Sequence, residues 1–205
     1  MTDLFTTDLF LVPLVGVMYV VFFSALSYMR REGVSRRFVA ESLVVTALLT
    51  VGAVFTGSSL YPLVALVVLY VVTMRCRIAL DLANTLARRG RLPIAQRLYA
   101  LATSLFPDDL TRVLVGINHG TALLLHGEPA QAQALIEGVM ANSGEWLPPK
   151  YEAAARYNLG VAYRRQGQED RARQEFQLVT GLMPESTTYH VRAQRALEWK
   201  SPTKP

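Results

Sequence analysis

The chain has 205 residues, 51% of them apolar and 18% charged, and its mean hydropathy is positive. Its net charge of +5 is dispersed among acidic neighbours; nucleic-acid binders of the basic-patch kind gather Lys and Arg on one face, so the composition argues against such a partner. Cys76 is the only cysteine, which excludes an intrachain disulfide framework and suits a reducing compartment.

The apolar residues are unevenly spread. Before Arg75 the sequence is mostly Leu, Val, Phe and Ala, and after it the sequence is charged and amphipathic. Residues 1–75 therefore read as a membrane domain. Leu9 to Met29 carries no charge, and as a helix it would be about 31 Å long, enough for a hydrocarbon core of roughly 30 Å. Pro13 is expected in the first turn, where a missing N–H costs little. Phe38 to Phe55 is a second apolar run, with Glu41 near its start at headgroup depth. Thr56-Gly57-Ser58-Ser59 reads as a turn, followed by a third run to Met74. The expected spans are residues 9–29, 38–55 and 58–74; the last either crosses fully with Tyr61 and Arg75 at the two interfaces, the favoured reading, or forms with the second run a hairpin that dips from one side.

Arginines set the expected orientation. Arg30, Arg31, Arg36 and Arg37 lie between the first two runs, and Arg75 and Arg77 follow the third. The positive-inside bias then places the N-terminus, with Asp3 and Asp8, outside and everything after residue 75 in the cytoplasm. The expectation is an integral protein of the cell membrane or of an organelle inner membrane. A cleavable signal peptide is not expected, because positive charge follows the first run instead of preceding it. No ionisable residue is expected deep in the bilayer and no polar pair was found there, which argues against an ion pathway. Gly16, Gly52 and Gly57 are too sparse for a helix-dimer motif. The third run meets Cys76 with no Gly or Pro between, so a continuous helix is expected to leave the bilayer; Cys76 is taken as an unmodified thiol.

The remainder repeats itself. Small residues return as Ala83, Gly120 and Gly160 and again as Ala95, Ala132 and Ala172; glycines return as Gly90, Gly127 and Gly167. All three series share offsets of 37 and 40 residues. The clearest copy runs Tyr157-Asn158-Leu159-Gly160, then Tyr163, Gly167, Ala172, Phe176 and Pro184. Its spacing predicts one helix over 153–166, a glycine cap at Gly167 and a second helix over 169–183 stopped by Pro184. Gly160 and Ala172 allow close helix approach, while Tyr163 and Phe176 fill the remaining volume.

This pattern resembles the tetratricopeptide repeat, a helix–turn–helix unit that stacks into a solenoid. The resemblance covers repeats at about 76–109, 113–146 and 153–186, with connections at Asp108–Arg112 and Trp146-Leu147-Pro148-Pro149. Residues 187–200 would form a capping helix and 201–205 a disordered tail. The second copy has Gly144 where the family usually has proline. The fold class expected overall is all-α, with three membrane helices followed by about three hairpins and a cap.

The family's inner helices line a groove that accepts an extended peptide or a partner helix. The matching positions include Asn84, then Asn118 and Thr121, then Tyr157, Val161 and Arg164. Asn84 and Asn118 match the asparagines with which chaperone-binding members hold a C-terminal carboxylate. That clamp also needs cations, and the matching places hold Leu80, Tyr157 and Val161, so a mixed apolar and amide groove is expected. His119 and His126 are seven residues apart; on one helix they stand about 10 Å apart, too far to share a metal. No nucleophile elbow or phosphate-binding glycine loop is present. The resulting expectation is a non-catalytic membrane-anchored scaffold or adaptor, without cofactor or metal, that gathers or assembles protein partners at a cytoplasmic membrane face. The alternative is a structural accessory subunit of a larger integral membrane complex, held mainly through its spans.

Overall fold

The structure is a computed structural model that describes residues 2–57, 60–143 and 147–198, with side chains described from Phe10 onward. Among these residues it is all-α, with ten helices and no strand, and it divides into two compact units, Met1–Ile78 and Ala79–Pro205.

The first unit packs three helices, α1 (Thr2–Met29), α2 (Arg36–Thr56) and α3 (Pro62–Thr73), each against the other two. The Phe10–Met29 part of α1 and the whole of α2 are each long and apolar enough to cross a membrane. Their outer faces show Leu14, Val17, Val21 and Phe22, then Leu43, Val44, Leu48 and Val51, all exposed. Such a surface suits hydrocarbon and not water.

Several expectations need correction here. Helix α1 begins at Thr2, so Pro13 lies inside it and not in its first turn; the residues before Leu9 continue the helix. Helix α3 has 12 residues, about 18 Å, which is too short to cross alone. Nor does it run on into the next helix, because Met74 leaves helical geometry (φ −100°, ψ 9°) and caps α3. A third span exists only if α3 and the helix after this break count together. Gly57 ends α2 in the left-handed conformation that glycine adopts without strain; Ser58 and Ser59 of the expected turn lie outside the described residues.

The interior of this unit is more polar than the sequence suggested. Tyr19 of α1 and Thr73 of α3 share a hydrogen bond of 2.7 Å between hydroxyls, where no polar pair was expected. Ser42 and Thr46 of α2 are buried, and a Cβ at Gly16 would fall 2.3 Å from the Thr46 side chain. Gly16 therefore marks a close approach of α1 and α2, the role that small residues play between membrane helices. Glu41 binds both guanidinium nitrogens of Arg75, at 2.7 and 3.1 Å, and also Arg37 at 2.8 Å. Arg77 stands 3.8 Å from Glu32. The residues just after α1, the start of α2 and the first residues after α3 thus share one charged end.

The second unit consists of helices in hairpin order. Helix α4 (Arg75–Arg88), from Ala79 on, pairs with α5 (Leu92–Ser104), α6 (Asp109–Leu125) with α7 (Pro129–Ser143), and α8 (Pro149–Arg165) with α9 (Glu169–Leu182). Each hairpin packs on the next through α5 against α6 and α7 against α8, and α10 (Thr188–Glu198) closes the far end against α8 and α9. Helix α6 starts four residues before the expected boundary because Asp108 caps it, accepting from the Thr111 N–H at 2.8 Å. Helix α8 likewise starts early, at Pro149, a position where proline costs no hydrogen bond. Gly144 to Trp146, Lys200 and the tail 201–205 lie outside the described residues.

The three hairpins turn identically. Gly90, Gly127 and Gly167 all have φ between 76° and 80°. Each glycine N–H bonds the carbonyl three residues back, and the following N–H bonds the one five back: Arg91 to Leu86, Glu128 to Leu123 and Gln168 to Tyr163, each 2.9 Å. This pair of bonds satisfies carbonyls that a helix end leaves open. Packing repeats in the same register. Tyr99, Ile136 and Phe176, again 37 and 40 residues apart, are fully buried. Ile136 and Phe176 lie so close to Gly120 and Gly160 that a Cβ on either glycine would come within 2.6 and 2.7 Å of them.

Candidate functional site

The six expected contact residues lie on the first helix of each hairpin: Asn84 on α4, Asn118 and Thr121 on α6, and Tyr157, Val161 and Arg164 on α8. The hairpin register puts Asn84, Thr121 and Val161 at equivalent places.

Asn84 and Asn118 are brought together by Tyr99. Its hydroxyl donates to Asn84 Oδ1 at 2.8 Å and lies 3.4 Å from the Asn118 carbonyl. Burial pushes the Tyr99 phenol up to about 12, so it remains a donor at neutral pH. The Asn118 amide nitrogen donates back to Leu114 O at 2.8 Å, which leaves its carbonyl oxygen the atom best placed to accept from a partner.

Thr121 is joined to a residue that sequence reasoning passed over. The Asn158 amide donates to Thr121 Oγ1 at 2.8 Å, and Thr121 donates in turn to Ile117 O. Asn158 is buried between α6 and α8. The signal was present: Asn158 stands 40 residues after Asn118, in register.

The third-hairpin residues lie against α10. The Tyr157 ring sits 5.6 Å from Phe176 and 6.0 Å from Tyr189 of α10. Arg164 lies over the Phe176 ring at 4.7 Å and donates to the Ala196 carbonyl at 2.7 Å. Val161 is half-buried beside the same core. Helix α10 packs on this hairpin and covers its apolar face, as a following hairpin would in a longer stack. Tyr157 and Arg164 are therefore held by the chain's own helix, and all six candidate residues are half-buried.

The two histidines point to different tasks. His119 stacks on Tyr99, with centroids 4.8 Å apart, and burial holds its pKa below the ordinary imidazole value. Its Nε2 is buried without a hydrogen-bond partner. His126 Nε2 donates to the Ala87 carbonyl of the preceding hairpin at 3.1 Å. Among the described residues no group of three or more His, Cys, Asp or Glu is placed to hold a metal.

Other polar contacts lock neighbouring helices. Tyr163 donates to Glu137 at 2.6 Å, and Gln133 and Gln166 extend the chain between α7 and α8. Burial, with the Glu137 carboxylate, pushes Tyr163 up to about 12. Arg156 joins Glu152 at 2.8 Å and Glu175 at 3.2 Å, tying α8 to α9; desolvation nonetheless raises the Glu175 carboxyl above its usual range. These groups are spent on packing. Comparison with protein-family models, with curated proteins and with solved structures finds no match to this chain, and the functional reading rests on the residues themselves.

Proposed function

We propose that the protein is a membrane-anchored adaptor of the tetratricopeptide-repeat kind, whose stacked hairpins gather or assemble a protein partner at the cytoplasmic face of a membrane. The observation that carries this reading is the threefold recurrence of one glycine cap under offsets of 37 and 40 residues, with the small-against-large contact repeated at Gly120–Ile136 and Gly160–Phe176. Repeats of this sort bury their apolar faces only on one another and present a row of first helices to a ligand. Binding draws on apolar burial and amide contacts, with no chemistry done on the partner and no cofactor. The anchoring side of the reading is supported by the two membrane-length helices and by the charged end that gathers Glu32, Arg37, Glu41, Arg75 and Arg77. An arginine-rich end faces the cytoplasm under the positive-inside bias, which puts the N-terminus outside.

Asn118 and Val161 are the residues to test, since Tyr157 is held beneath α10 and Asn84 supports Tyr99. Full-length protein is captured in mild detergent from native membranes and its companions are measured by mass spectrometry. Asn118→Arg with Val161→Arg should lower partner recovery roughly tenfold, the loss of one buried contact residue being worth 1.4 kcal/mol or more. Helix content should be unchanged. Undiminished recovery from a folded variant would exclude this face as the docking surface.

A further inference from the structure

The hairpin register shows an end of the stack that no other described helix of the second unit covers. Under the offsets of 37 and 40 residues, Leu82 of α4 corresponds to His119 and Leu159, and Leu86 to Leu123 and Tyr163. One later member of each series meets the second helix of the preceding hairpin. His119 stacks on Tyr99 of α5, and Tyr163 bonds Glu137 of α7. Leu123, Leu159 and Tyr163 are 3%, 4% and 8% exposed, whereas Leu82 is 49% exposed. Leu86 is half-buried.

A second contact recurs beside this row. His126 and Arg165 each reach back from one hairpin to a last-turn carbonyl of the hairpin before it, Ala87 O and Leu124 O. Both acceptors lie at a helix C-terminus, where a cation is favoured. In register, the residues of α4 corresponding to these two donors are Arg88 and Arg89. They are exposed, and among the described residues their guanidinium groups make no hydrogen bond or ion pair, Arg88 acting on the Tyr99 phenol only through its charge.

Charge narrows the occupant. Residues 79–105 carry Arg88, Arg89, Arg91 and Arg97 against Asp81, whereas residues 106–205 hold eleven basic and eleven acidic side chains. The excess charge of the second unit therefore belongs to its first hairpin. Two copies meeting through this face would set arginines against arginines, and α10 already covers the opposite end of the stack. A carboxylate-bearing helix meets both the leucine row and the arginines.

We propose that Leu82 and Leu86, with Arg88 and Arg89, form a seat for an acidic amphipathic α-helix of another protein, which takes the place that α5 takes on α6 and α7 takes on α8. This seat is a different face from the one tested above, and its existence does not depend on that one being a groove. The photoreactive residue p-benzoylphenylalanine replaces Leu82 in the full-length protein, and crosslinked peptides are mapped after irradiation of native membranes. The same probe replaces exposed Leu178 on α9 as the control.

The expected crosslinks from position 82 fall on an acidic amphipathic helical segment of a separate polypeptide and are missing from position 178. Charge reversal by R88E/R89E should cut their yield roughly tenfold, and R88Q/R89Q by less, as expected for electrostatically selected contacts. An unchanged thermal melt of each variant shows that the hairpin is intact. Crosslinks that fall only on lipid, on residues 1–78 of the same chain or on a second copy would overturn the proposal. So would a yield indifferent to charge reversal, or no crosslink at all.

Discussion

The two units solve helix packing with the same device and opposite surfaces. In the first, Gly16 lets Thr46 approach; in the second, Gly120 and Gly160 admit Ile136 and Phe176. Around the first contact the outward residues are Leu, Val and Phe, and the buried ones include Ser42, Thr46 and the Tyr19–Thr73 pair. Around the second, the buried residues are Ala, Ile, Phe and Val, and charged residues cover the outside. Helix contact geometry is thus common to both, while the surroundings decide which side chains face out. In lipid, apolar burial drives nothing, so close backbone approach and hydrogen bonds hold helices together. In water, the apolar interior itself is the driving force.

The comparison can be broken most forcefully at Phe176. Phe176→Ala empties the volume above Gly160 and should cost about 3–5 kcal/mol. The loss should appear as a lower melting temperature of the second unit in nanodiscs. Bilayer protection of α1 and α2 against protease should be unaffected. Loss of both together would mean that the two units do not fold separately.

A smaller effect of opposite sign is expected at His119. In the third hairpin its place is taken by Leu159, and His119 carries a buried ring nitrogen without a partner. His119→Leu should stabilise the second unit by about 1 kcal/mol by removing that unsatisfied group. Its pH dependence follows from the lowered pKa. Above 6.5, the ordinary value, folded and unfolded imidazoles are both neutral and nothing is lost. Below it the unfolded chain takes up the proton first, so stability falls until the folded pKa is passed. Among the described residues only burial shifts His119, and Tyr99, stacked on it from α5, stays protonated. Denaturation curves at pH 7.5 and 5.5 should therefore differ more for the native chain than for the leucine variant, and equal differences would remove His119 as the cause.

The smallest effect sharpens the other side. Tyr19→Phe removes the hydroxyl pair with Thr73 and should weaken the three-helix unit by about 0.6 kcal/mol, the average for such bonds in membranes. Steric trapping or forced unfolding in bilayers can resolve it, with Thr73→Val closing the double-mutant cycle. A coupling near zero would show that the pair contributes no stability.

The hairpin order of the second unit and the glycine caps were legible in the sequence because each rests on local chemistry. Gly90, Gly127 and Gly167 end helices wherever they stand, and the spacing of Ala83, Gly120 and Gly160 reports a face that must approach another helix. Boundaries were less legible. Asp108 and Pro149 start helices early through caps and backbone geometry that hydrophobic spacing does not register. The six candidate residues all lie on first helices, but the sequence could not show that α10 would hold Tyr157 and Arg164.

By itself, the sequence determined which segments are helical, which of them suit a bilayer, and the register in which hairpins recur, since propensity, length and periodicity act along the chain. Only the tertiary structure decided that Met74 breaks the third run, that Tyr19 finds Thr73 across 54 residues, that Asn158 reaches Thr121, and that Leu82 stays open while Leu159 is covered. Those outcomes depend on which helix lies beside which, and side chains distant in sequence compete for the same partners only after the chain has packed.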